Sequence, residues 1–104
     1  MFTGNEDNEI TLQEGIDLTK QYQQLLPGWI KGVYISKSSL ETLLGQTDAV
    51  GARIYFSMTV DLKMTAVVVA VKANGDDLSA GVILDKGAPC PPACAVSSPF
   101  LHGI

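Results

Sequence analysis

Apolar positions recur at two different periods along the chain, and the change of period separates helix from strand. From Leu12 to about Leu26, at about 100° per residue, Leu12, Gly15, Ile16, Leu18, Thr19, Tyr22, Leu25 and Leu26 share one half of a helical wheel. Gln13, Glu14, Asp17, Lys20, Gln21 and Gln24 share the other half, and only Gln23 intrudes on the apolar arc. Thr11 and Glu14 have the spacing of a capping box, and Pro27-Gly28 stops the helix. Such a stripe must lie on something apolar. Gly15 sits near its middle, where a missing side chain costs helix stability and is best explained by close approach to a sheet.

The period then falls to two. Trp29 to Ile35 reads as a strand, and Ser38 with Glu41 caps a short helix, Ser39 to Leu44, that Gly45 ends. In the next strand Ala52, Ile54, Phe56, Met58 and Val60 share a dry face, with Arg53, Tyr55, Ser57, Thr59 and Asp61 on a wet one. From Met64 to Lys72 both faces are apolar: Val67, Val69 and Val71 point one way, Ala66, Val68 and Ala70 the other. That strand should be central and covered on both sides. Asp61, Leu62 and Lys63 make a hairpin connection, Asn74-Gly75 a turn, and Gly81 to Asp85 a weaker strand.

Helix, strand, helix, then three strands predicts an α+β fold. The expected architecture is a mostly antiparallel sheet of about four strands, with two helices packed on one face and Ala66 and Ala70 admitting Gly15. Residues 1–9 read as a flexible acidic lead, 10–85 as the single domain and 86–104 as an irregular Pro/Gly-rich tail. Two helices cannot cover both faces of the central strand, so the expected partner is a second copy, in a homodimer.

Composition narrows the function without naming it. The chain has 104 residues, 46% apolar and 17% charged, which suits one globular domain. Its net charge of −4 argues against nucleic acid. No apolar run approaches the ~18 residues of a membrane helix. The polar, acidic start lacks the pattern of a secretory signal, so the expected location is cytoplasmic.

The candidate chemistry is sparse. Cys90-Pro91-Pro92-Ala93-Cys94 allows a thiol redox pair, a metal site, a proline-stiffened docking segment, or a rigid tail whose cysteines pack as small hydrophobes. Extended at ~3.1 Å per residue, the two Cα atoms lie ~12 Å apart, beyond the ~4.4–6.8 Å of a disulfide. A turn with Pro92 at its second position would close that gap, so a bridge is open to the chain but not preformed. Cys90, Cys94 and His102 are the only soft metal ligands, short of the four that a closed zinc site takes. His102 otherwise reads as a lone exposed tail histidine. Arg53 and Tyr55 are candidate ligand or partner contacts on the wet strand face. Asp76-Asp77 lacks the calcium-loop pattern and reads as turn chemistry. Trp29 reads as core. No complete catalytic set can be assembled and no cofactor is implied.

Several segments taken together are familiar. Gly15-Ile16-Asp17-Leu18-Thr19 with Tyr22-Gln23, Pro27-Gly28, Gly51-Ala52-Arg53-Ile54-Tyr55, Val67-Val68-Val69-Ala70-Val71 running into Ala73-Asn74-Gly75-Asp76-Asp77-Leu78, and Pro89-Cys90-Pro91-Pro92-Ala93-Cys94 resemble a group of small uncharacterised proteins of Bacteroidetes bacteria. The resemblance spans roughly residues 10–98. It departs at Thr59–Lys63, where an Asp/Gly turn is expected, and at Asp48-Ala49, where a cysteine would fit. It implies a bacterial, cytoplasmic protein and assigns no catalytic residue. The leading expectation is a non-catalytic domain that self-associates and binds a protein or small ligand. The alternative is a thiol redox or metal-binding protein using Cys90 and Cys94.

Overall fold

The computed structural model describes all 104 residues. Its elements run α1 (Leu12–Leu25), β1 (Gly32–Tyr34), α2 (Lys37–Leu44), β2 (Ala49–Met58), β3 (Met64–Lys72), β4 (Ile83–Leu84) and β5 (Ala88–Cys90). The fold is α+β with antiparallel pairing throughout. The expected single sheet of about four strands is instead a three-stranded sheet, β2-β3-β4, and a separate β1-β5 ribbon.

β3 lies in the middle of the larger sheet. Val68, Val69, Ala70 and Val71 are all buried on it. Its ladder with β2 sets Ile54 against Val68 and Phe56 against Ala66 on one face, Arg53 against Val69 and Tyr55 against Val67 on the other. The hairpin turns at Thr59–Lys63, where Thr59 N donates to Lys63 O and Leu62 takes a positive φ of 65°.

α2 packs on the Val68 face, where Leu43 joins Val68 and Ala70 in the core and Ile35, Leu78 and Leu84 close around it. Its cap is Ser36, whose Oγ accepts from Ser39 N, two residues before the expected Ser38. Gln46 ties the end of α2 to the approach of β4, donating to Leu43 O and accepting from Val82 N.

α1 begins at the expected capping box, with Thr11 and Glu14 bonded to each other's backbone. Those bonds hold the Glu14 carboxyl below its ordinary pKa. α1 lies over the same sheet face as α2 but stands off it. The Tyr22 hydroxyl, donating to Ile30 O at 2.6 Å and set 3.6 Å from Met64 Sδ, spans the gap. Gly15 does not approach Ala66 or Ala70. A Cβ there would meet the Phe100 ring at 3.1 Å, so the space that glycine leaves is taken by the C-terminal segment. Gln23, the intruder on the apolar arc, is buried beneath that segment, donating to Phe100 O and accepting from His102 N.

Both termini are held. Phe2 N donates to Ala73 O, bringing the acidic lead against the Asn74-Gly75 turn. The tail from Lys86, expected to be irregular, contributes β5, which pairs Cys90 with Gly32 and Ala88 with Tyr34. Pro89 is accommodated because a two-stranded ribbon leaves an outer edge that needs no N–H.

Candidate functional site

The most apolar concavity is the gap between α1 and the sheet, a cleft of about 400 Å³. Leu18 and Tyr22 form its roof, Ile54, Phe56, Ala66 and Val68 its floor, and the Ile30–Val33 stretch one wall. The walls are overwhelmingly apolar, and its volume falls within the range of small-molecule sites. The wheel of α1 predicted an apolar contact. The structure supplies the facing surface but leaves it unfilled, with Leu18 62% and Phe56 86% exposed.

Arg53 and Tyr55 lie on the opposite face of β2. Both side chains converge on Asp77, one on each carboxylate oxygen, and Arg53 also donates to Gly75 O. The Tyr55 side chain and then Asp77 raise the guanidinium above its already high pKa, so its charge is permanent. This cluster fastens the 74–77 turn to β2. It occupies both Asp77 carboxylate oxygens and Arg53 Nη1.

Cys90 and Cys94 form a disulfide, with Cα atoms 4.6 Å apart. The expectation that they pack as free small hydrophobes is therefore replaced. The chain doubles back at Pro91-Pro92, with Ala93 N donating to Pro89 O and Cys94 N to Pro92 O. The bridge lines a shallow hollow with Tyr34, Ala93 and Leu101, which shares no residue with the hollow that Arg53 lines. His102 is not a loose tail residue: its Nε2 lies 3.0 Å from Thr19 Oγ1, and its N–H meets Gln23. No three Asp, Glu, His or Cys side chains are grouped closely enough to hold a metal ion. Trp29 is 44% exposed, against the expectation of core.

No family model, curated protein or solved structure matches the chain. No helix is long and apolar enough to cross a membrane.

The geometry of the cysteine pair makes a direct prediction. The isolated protein should show no reactive thiol until reduced, two thereafter, and no stoichiometric zinc by elemental analysis. A thiol of strongly lowered pKa in the isolated protein, or bound zinc, would overturn that assignment.

Proposed function

We propose that this protein is a non-catalytic binding domain that self-associates and takes an apolar partner surface or ligand in the cleft between α1 and the sheet. The observation that carries this reading is the cleft itself, with two apolar surfaces facing each other across unfilled space. A contiguous apolar surface left open at such a place marks a binding site far more often than a packing fault. The Arg53–Tyr55–Asp77 cluster, on the other face, is bonded within itself and serves to hold the 74–77 turn.

The test is saturable binding of an apolar fluorescent probe such as anilinonaphthalene sulfonate, with Ala66→Phe as the variant. Ala66 lies on the floor, and a ring there fills the cleft without displacing a buried side chain. Bright, saturable binding to the folded parent and its loss in Ala66→Phe are expected. A folded parent that leaves the dye dark, or a variant that binds it equally, would refute the cleft as the site.

The Cys90–Cys94 bridge is the one observation that favours the alternative, a thiol redox role. A bridge also bears on location, since disulfides persist in oxidising compartments and are rare in a reducing cytoplasm. Rapid alkylation of the protein in freshly lysed cells distinguishes a standing bond from a pair of thiols.

A further inference from the structure

We infer that the binding partner is a second copy of this chain, added antiparallel along the outer edge of β2 about a two-fold axis. This rests on the self-association reading above and gives it a place and a register.

The first ground is the backbone of β2. The strand has ten residues, and only its inner edge is paired. Thr59 N donates to Lys63 O across the hairpin, and the groups of an antiparallel strand alternate. Those of Ser57, Tyr55 and Arg53 therefore face β3. Those of Ala52, Ile54, Phe56 and Met58 face outward with no strand beside them, and the acidic lead reaches only the start of the strand, where Gly4 lies against the Val50 carbonyl. Such an edge is a template for another strand unless it is blocked by charge, proline or a bulge. β2 has no proline, its bulge lies at the far end near Ala49 and Gly51, and its one charge, Arg53, is engaged by Asp77.

The second ground is area. A compact protein of 11.0 kDa should expose roughly 5,600 Å², and this chain exposes 7418 Å². The excess, about 1,800 Å², fits the surface each chain of an obligate homodimer buries, about 1,000–2,500 Å². The Cα radius of gyration, 15.2 Å, likewise exceeds the ~13 Å of a compact chain of this length. Ile54, Phe56 and Met58, all exposed, are among the apolar side chains that contribute to it, and they lie along the open strand.

The third ground is register. An axis through Tyr55 pairs Ile54 with Phe56 of the partner subunit and Ala52 with the partner's Met58. It makes about eight backbone hydrogen bonds. It also keeps the two Arg53 side chains from lying directly opposite, where like charges repel. The partner's Phe56 then stands beside Ile54 at the mouth of the cleft, and the two sheets join into one, β4-β3-β2-β2-β3-β4. An occupant with another sequence would gain the hydrogen bonds but not this self-complementary row.

Light scattering over a concentration series, with amide exchange read by NMR, tests the assignment. The parent should weigh twice the chain mass at high micromolar concentration, and the outward amides of Ile54 and Phe56 should be protected under those conditions. Phe56→Lys, at a position so exposed that the fold does not depend on it, should weaken dimerisation by about 30-fold or more, the loss of an aromatic anchor. Ile83→Lys, on the other face and away from this edge, should leave it unchanged. A dimer whose Ile54 and Phe56 amides exchange freely, or one that survives Phe56→Lys, overturns the β2 interface while leaving self-association standing. A parent that stays monomeric at ~1 mM overturns both.

Discussion

Val68→Asp is expected to destabilise the domain by at least ~4 kcal/mol, enough to leave much of it unfolded when small domains have ~5–15 kcal/mol in all. Val68 is 4% exposed, at the centre of the middle strand, packed with Leu43 and Ala70 under α2. No cation faces it. An introduced carboxyl must either stay charged in an apolar site or take up a proton, at ~1.4 kcal/mol per unit of raised pKa. Its folded-state pKa would lie above the unfolded value. The penalty is therefore largest at neutral pH and shrinks as pH falls through the raised value. Val69→Asp is the informative contrast. That residue is equally buried, but its side chain lies on the other face, with Arg53 directly across the ladder. A counter-charge is already in place, so the cost should be about half. Urea midpoints by circular dichroism measure both. A parent-like midpoint for Val68→Asp would remove β3 from the interior, and equal midpoints for the two would show that Arg53 cannot leave Asp77.

The same strand shows what periodicity can reveal. β3 and the faces of β2 were legible because alternation is local and each residue's side is fixed once the strand is. α1 was legible because both its ends carry chemistry, the Thr11–Glu14 box and Pro27-Gly28. β5 was not, since Ala88-Pro89-Cys90 has no strand pattern of its own and exists only because Gly32–Tyr34 comes alongside. The cap of α2 was misplaced because Ser36 and Ser38 both precede suitable residues, and only the geometry selects the Ser36–Ser39 bond. Arg53 and Tyr55 were recognisable as a polar pair, but their acceptor is 24 and 22 residues away and is delivered by the register of the sheet. The cleft depends on the standoff of α1, which no local pattern encodes. The Cys90–Cys94 bridge depends on a reversal of the chain that the prolines alone leave undetermined.

Gln23 offered a signal that could have been followed further. A glutamine inside an apolar arc must bury an amide, and a buried amide needs partners for both its ends. Here the partners are Phe100 O at 2.8 Å and His102 N at 3.1 Å, with the residue 2% exposed. One side chain therefore anchors the C-terminal segment onto α1, in the place a sheet contact was expected. Gln23→Leu is expected to cost about 1–3 kcal/mol: volume is kept, but the half-buried Phe100 carbonyl and His102 N–H lose their partners, each at the low end of the ~1–3 kcal/mol of a fully buried group. Gln23→Ala adds a cavity and should cost more. Chemical denaturation gives the magnitudes, and exchange of the His102 amide reports whether the segment has lifted from the helix. The decisive comparison uses a chain ending at Pro99. With residues 100–104 gone, the orphaned groups are gone too and position 23 faces solvent, so Gln23→Leu should become nearly neutral. A coupling of that size between substitution and truncation is the signature of a direct contact. If Gln23→Leu costs the same with and without the segment, the glutamine acts within α1 alone and the anchor is not what holds the terminus down.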